Sequence, residues 1–247
     1  MGRILWRPIP ILFQYLLPGV NLTGYAVTGI DVVISFFAIA ALIFVLLPFH
    51  EYAHAWTAYK LGDGTAKAYG RLTLNPLAHI DPMGAFCMLI LPFGWAKPVP
   101  IDPRHASRKI SQRTFVALTA AAGPLSNILL SLIFVAISKL VMLIGGAAFS
   151  GQVTLPYFAW AFHMIAYMSV FLALFNLIPI PPLDGSKILF YFLNNRQVVF
   201  MERNAHKFRL GLILLLFLPM FDFIFVGMAR AANTIMRGLD YATFFIP

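Results

Sequence analysis

Apolar residues in this chain gather in long runs, with polar residues pushed to the segments between them. Four runs stand out: Val32–Leu47, Phe115–Ile137, Tyr157–Ile178 and Leu210–Met228. A helix that crosses a bilayer needs roughly 20 predominantly apolar residues. The last three runs reach that length, and the first does so if its helix continues through His50–His54. Two shorter runs, Ile9–Val20 and Met83–Trp95, predict interfacial, re-entrant or short spanning segments. Between the first two long runs, Thr65–Asn75 has strand-like character after an Asp63-Gly64 turn, and the prolines of Trp95–Ile101 predict extended chain. The pattern describes an all-α polytopic membrane protein with a short β-hairpin or re-entrant loop region.

Composition agrees. The chain is 60% hydrophobic and 11% charged, with a mean hydropathy of +0.82, more apolar surface than a soluble domain of 247 residues can bury. Its net charge of +9 is unevenly placed. Eight of the eighteen Lys and Arg lie between His50 and Arg113 and five between Lys187 and Arg209, whereas 138–156 holds only Lys139. The positive-inside rule then puts 50–113 and 187–209 in the cytoplasm and 138–156 outside, with Arg230 and Arg237 on the wrong side. The charge is thus a topology signal and calls for no nucleic-acid partner. Pro8, Pro10 and Pro18 break the N-terminal apolar region, which does not read as a signal peptide. A single cysteine, Cys87, excludes an internal disulfide and a cysteine-based zinc site. The whole of 1–247 is expected to form one membrane domain: an N-terminal extension over 1–31, a core over 32–190 and C-terminal helices over 191–247.

The chemistry lies at the end of the first run, in His50-Glu51-Tyr52-Ala53-His54. Residues four apart share a helix face, so both imidazoles can reach one metal ion. Glu51, about 100° further round, can reach water on that ion without ligating it. This is the metalloprotease arrangement. With six histidines and two glutamates in the chain, it arises by chance about once in a thousand such sequences. Ionisable residues in a bilayer are costly, and three within five positions need a common partner such as a divalent cation. A catalytic zinc takes a third protein ligand. Asp184, His79, Asp81, Glu202 and His163 are the candidates. Asp184 follows Pro179, Pro181 and Pro182, which end the helix begun near Tyr157 and unwind the chain at membrane depth.

The residues resemble a known family. His50-Glu-Tyr-Ala-His-Ala-Trp56, Leu61-Gly-Asp-Gly-Thr-Ala66, Gly70-Arg-Leu-Thr-Leu-Asn-Pro-Leu-Ala-His-Ile-Asp-Pro82, Gly94-Trp-Ala-Lys-Pro-Val-Pro100, Gly123-Pro-Leu-Ser-Asn127 and Asn176 eight residues before Asp184-Gly185 are similar to the site-2 proteases, in their compact bacterial branch without a PDZ domain. The resemblance implies a three-helix catalytic core with one Zn2+ near the cytoplasmic face of the cell (inner) membrane. It implies His50, His54 and Asp184 as ligands and Glu51 as general base and acid. Asn127 and Asn176 match two family asparagines, either bonding substrate or oxyanion or joining helices. His79 falls in a family-like stretch, as a gate, a partner behind the ligands or a turn residue. The substrates implied are single-span membrane proteins, whose unwound backbone an edge at Thr65–Asn75 would capture by β-addition. Two other readings stay open: a membrane zinc transporter, which also places such a motif on a membrane helix, and a CAAX-type membrane protease completing its site with Glu202. A pseudoprotease that binds helices without cutting is a third.

Overall fold

The computed structural model describes residues 29–90, 94–148, 155–217 and 222–243. The run Ile9–Val20 lies outside them. Among the described residues, three helical stretches are long and apolar enough to cross a membrane: Phe36–Lys60, Gln112–Ile144 and Tyr157–Asn176. The first does continue through the histidine motif. It is built from α1 (Gly29–Ala41), a π-helical turn over Leu42–Leu46 and α2 (Leu47–Lys60). The π turn has a local cause. Pro48 lacks an amide, and its ring crowds the carbonyl four residues back. The helix widens just upstream, and the Leu47 amide donates to the Leu42 carbonyl five residues away.

The other two spans belong to α6 (Gln112–Ala148) and α7 (Leu155–Asn176). These pack antiparallel: Asn127 meets Ser169, Phe134 stacks on Phe162, and Ser138 meets Ala159. The contacts include Ser169 Oγ donating to the Asn127 carbonyl and Ser138 Oγ donating to the Ala159 carbonyl, hydroxyl links of the kind that join helices in lipid. Leu46 of the π turn is fully buried against Leu130 of α6 and Ile165 of α7. Outward-facing positions such as Phe36, Phe44, Leu125 and Leu129 stay exposed, as a lipid-facing surface requires.

The run Leu210–Met228 takes in described residues of α10 (Ala205–Phe217) and α11 (Asp222–Ala242), and its residues 218–221 lie outside the described ones. Neither helix qualifies as a span among the described residues. α10 has 13 residues, and α11 carries Asp222, Arg230, Arg237 and Asp240. α11 still packs on the core, burying Ala232 and Met236 against Val135, Ala166 and Val170.

The polar stretch between the first two spans differs from expectation. No strand forms among the described residues; the only β pairing there is an isolated antiparallel bridge between Ile80 and Ala96. Thr65–Asn75 opens instead with a helical turn, α3 (Thr65–Ala68), followed by α4 (Pro76–His79) and α5 (Pro82–Ile90). The reason is local satisfaction of the backbone. Asp63 accepts from the Thr65 amide at 2.9 Å and from the Thr65 hydroxyl, and the amides of Tyr69 and Arg71 bond back to Thr65 and Ala66. Amides so used are lost to a ladder. The strand edge expected at Thr65–Asn75 is therefore missing. Trp95–Ile101 is non-helical, as its prolines predict. Its anchors are the Ile80–Ala96 bridge, the Lys97 amide on the His79 carbonyl at 2.8 Å and the Arg71 guanidinium on the Lys97 carbonyl at 2.5 Å.

Asp63 ties the two ends of this stretch together. It is fully buried and also accepts from the Asp102 amide at 2.8 Å. Burial alone would raise its pKa. The Thr65 hydroxyl, the two amides and His105 outweigh that and hold it below the ordinary carboxylate value. A carboxyl depressed by folding adds stability above its unfolded pKa of about 4 and loses it as pH falls through the folded value. Asp63→Asn should therefore lower the thermal unfolding midpoint in detergent at pH 7. The gap to wild type should narrow only below about pH 4; a gap independent of pH across the acid range would contradict this.

Candidate metal centre

α2 presents His50 and His54 on one face, both almost fully buried against α6. The third group arrives from the far end of the chain. After α7 ends at Asn176, residues 177–183 run without regular helix, and Asp184 opens the short helix α8 (Asp184–Phe190). His50 Nε2, His54 Nε2 and Asp184 Oδ2 lie 3.1 Å from one another in all three pairings. Among the described residues they are the one group of three side chains able to hold a metal ion.

The tautomers fit an ion. His54 Nδ1–H donates to the Thr119 carbonyl at 2.7 Å, which leaves Nε2 a bare lone pair in the neutral ring. His50 Nδ1 faces the Asn127 amide at 3.1 Å, and Asn127 Oδ1 is buried without a partner. Turned end for end, that amide accepts from His50 Nδ1–H and leaves the second Nε2 bare as well. Two lone pairs and a carboxylate oxygen so close together repel unless a cation sits among them. Tetrahedral zinc with bonds of about 2.0–2.1 Å holds its donors about 3.3–3.4 Å apart, close to the spacing found. Burial pushes the Asp184 carboxyl up, but the two imidazoles beside it prevail and keep it below the usual carboxylate range. Lys187 Nζ lies 3.5 Å from its other oxygen.

Glu51 sits beside the group. Its Oε2 accepts from the Val99 amide at 3.1 Å, which leaves Oε1 for a reactant. Gly123 closes the opposite wall. A Cβ there would lie 2.4 Å from His54 Nε2 and 2.6 Å from His50 Cε1, so only glycine lets α6 approach both rings.

The remaining predicted residues are placed as follows. Asn127 is fully buried behind His50, while Asn176 turns its amide onto the Leu172 carbonyl of its own helix. His79 is buried outside the metal-capable group, its Nε2 on the Thr73 carbonyl at 2.8 Å. Asp81 accepts from the Gly84 amide, and Glu202 is exposed on α9 (Asn195–Arg203). Gly123 and Val99 fell within the family-like motifs without a role assigned to them, and Thr119 went unremarked. Gly123 had a legible signal, since it precedes Asn127 by four residues and so shares its face. Thr119 and Val99 act through backbone groups and carry no side-chain signal.

Comparison with known proteins agrees with this geometry. The model of peptidase family M50 matches residues 147–218. YwhC of Bacillus subtilis is 42% identical over 143 residues, 57% of this chain and 62% of its own length. Rip2 of Mycolicibacterium smegmatis is 29% identical over 151 residues, 59% of this chain and 53% of its own. Rip2 of Mycobacterium tuberculosis is 30% identical over 151 residues, 57% and 51% respectively. All three bear the name "Putative zinc metalloprotease". The chain is similar to peptidase family M50 over residues 147–218 and to these zinc metalloproteases over more than half of its length. It spans 62% of the length of YwhC and about half that of Rip2. No solved structure matches it. The motif helix, the Gly-Pro-x-x-Asn element and the Leu-Asp-Gly corner meet in the three-donor group.

Gly123→Ala tests the close approach. The added methyl should displace the imidazoles and lower metal affinity by at least about tenfold, read by metal analysis after dialysis, with helix content by circular dichroism unchanged. Wild-type metal retention would contradict the geometry.

Proposed function

We propose that this chain is an M50-type intramembrane zinc metalloprotease that hydrolyses peptide bonds in membrane-spanning substrate segments. The observation that carries the reading is the convergence of His50, His54 and Asp184 at 3.1 Å spacing, with Glu51 adjacent, on a helix long and apolar enough to span. The name given to YwhC and Rip2 supports the choice of zinc. The charge distribution supports a catalytic end facing the cytoplasm.

His50, His54 and Asp184 would hold the ion, which when bound supplies Lewis acidity toward water and the scissile carbonyl. Glu51 takes a proton from the attacking water and returns it to the leaving amine. Val99 N–H fixes one Glu51 oxygen, so the other keeps its aim through both transfers. The apolar walls of α2 and α6 strengthen these charge interactions. A substrate helix hides its carbonyls in its own hydrogen bonds and must unwind before attack.

Asp184, and not Glu202, meets the imidazoles, which favours this reading over a CAAX-type site. Purified protein with a detergent-solubilised single-span substrate provides the test. Glu51→Gln should lower cleavage by about 10²–10⁴-fold while keeping its zinc. Asp184→Asn should lose the zinc, and Glu202→Gln should change neither. Zinc uptake into liposomes that survives Glu51→Gln would favour a transporter. The Trp95–Ile101 strap is tested separately: Val99→Pro removes the amide that holds Glu51 and should cut kcat about tenfold with KM and zinc content little changed. Unaltered kcat would exclude Val99 from positioning the base.

A further inference from the structure

Helix α9 places Arg196, Val199, Phe200 and Arg203 on one face, at the i, i+3, i+4, i+7 spacing. All four are exposed, Phe200 at 61%. The turn before the helix adds Phe192 at 75% and half-exposed Tyr191. Val198 and Met201 are only partly buried, and no residue of the helix is fully buried. An Asn194–Gln197 capping box fixes where the helix starts.

Its height relative to the membrane is also fixed. Arg113, at the head of the spanning helix α6, donates to the Leu193 carbonyl at 2.6 Å and to Asn195 Oδ1. The start of α9 therefore lies level with the end of a span, where hydrocarbon gives way to headgroups. Beside it, an open groove of about 420 Å3 runs between α8 and α9, lined by Leu189, Leu193, Arg196, Gln197, Phe200 and Met201. Apart from Arg196 and Gln197, that lining is apolar. From Lys187 to Arg209 the chain carries five Lys and Arg against one acid, Glu202.

From this we infer that the corner between α8 and α9 binds one anionic phospholipid, with an acyl chain in the groove and its phosphate on Arg196 and Arg203. The site is distinct from the metal centre, and the inference does not rest on the proposed proteolysis. The chemistry favours lipid over a protein segment. Two guanidiniums one turn either side of an apolar pair can reach up to phosphate while their stems and the aromatic rings lie in the acyl layer. A spanning substrate helix offers no anion at that height. Basic residues beside a span draw acidic lipids for the same reason.

The test uses the full chain in nanodiscs of phosphatidylcholine, with and without phosphatidylglycerol, followed by native mass spectrometry after detergent release. Wild type should retain phosphatidylglycerol in preference to phosphatidylcholine. R196Q/R203Q should lose that preference on the order of tenfold with metal content unchanged, and R196K/R203K should keep most of it. Should R196Q/R203Q fail to fold, Phe200→Ser is read the same way and should shed the bound lipid. No preference in wild type, or an undiminished one in the charge-neutral variant, overturns the inference. So does a photo-crosslinker at position 200 that labels a single-span substrate in place of lipid, which would make this face a protein surface.

Discussion

Everything around the metal centre answers to one constraint: three donors that repel each other must be held 3.1 Å apart inside an apolar bundle. One helical turn of α2 supplies two of them, so the ring positions follow from helix geometry alone. The third needs a chain that leaves its helix. Residues 177–183 turn back so tightly that a Cβ on Gly185 would lie 2.2 Å from the Leu177 carbonyl. Glycine after Asp184 is thus as much a part of the site as the carboxylate, because any side chain there would push α8 and its first residue away. Gly123 plays the same part on the other wall. The site is kept by two absences of side chain as well as by three ligands.

The segment between the first two spans extends this logic to the base. It contains no sheet among the described residues, yet it is well anchored. Asp63 joins the Thr65 and Asp102 amides, Arg71 grips the carbonyls of Lys97 and Pro98, and His79 offers its carbonyl to the Lys97 amide. The net result is one backbone amide, that of Val99, aimed at Glu51. Pro98 and Pro100 have no amides of their own, so Val99 presents the single donor between them. A strap of this kind fixes a carboxylate without bringing a second charge into the bundle.

These dependencies explain what could be read from the sequence. The spans at Phe115–Ile137 and Tyr157–Ile178 were legible because lipid demands continuous apolar runs. The two histidines were legible because a four-residue spacing has one structural meaning on a helix. Asp184 was legible through the prolines ahead of it, as one of several candidates. The hairpin at Thr65–Asn75 misled because threonine and alternating apolar residues suit a strand, while the decisive fact was Asp63 collecting the local amides. Backbone donors and acceptors such as Val99 N–H and the Thr119 carbonyl belong to any residue type, so no pattern of letters reveals them.

Depth gives the proposed reaction its scale. At 1.5 Å per residue, His54 lies about 9 Å and His50 about 15 Å along the helix from Lys60. The whole stretch Phe36–Lys60 is about 37 Å long against a hydrocarbon core of about 30 Å. On the proposed reading, with Lys60 among the headgroups, the donors would lie between the interface and the bilayer centre. A substrate helix of the proposed kind would then have to unwind only its end turns to bring a carbonyl to the site. Those end turns already carry unpaired carbonyls or amides that water satisfies, so less hydrogen bonding is sacrificed there than at mid-membrane. In the same arrangement Glu51 rests against the polar strap through the Val99 amide, while α6 covers both imidazoles through Thr119, Gly123 and Asn127.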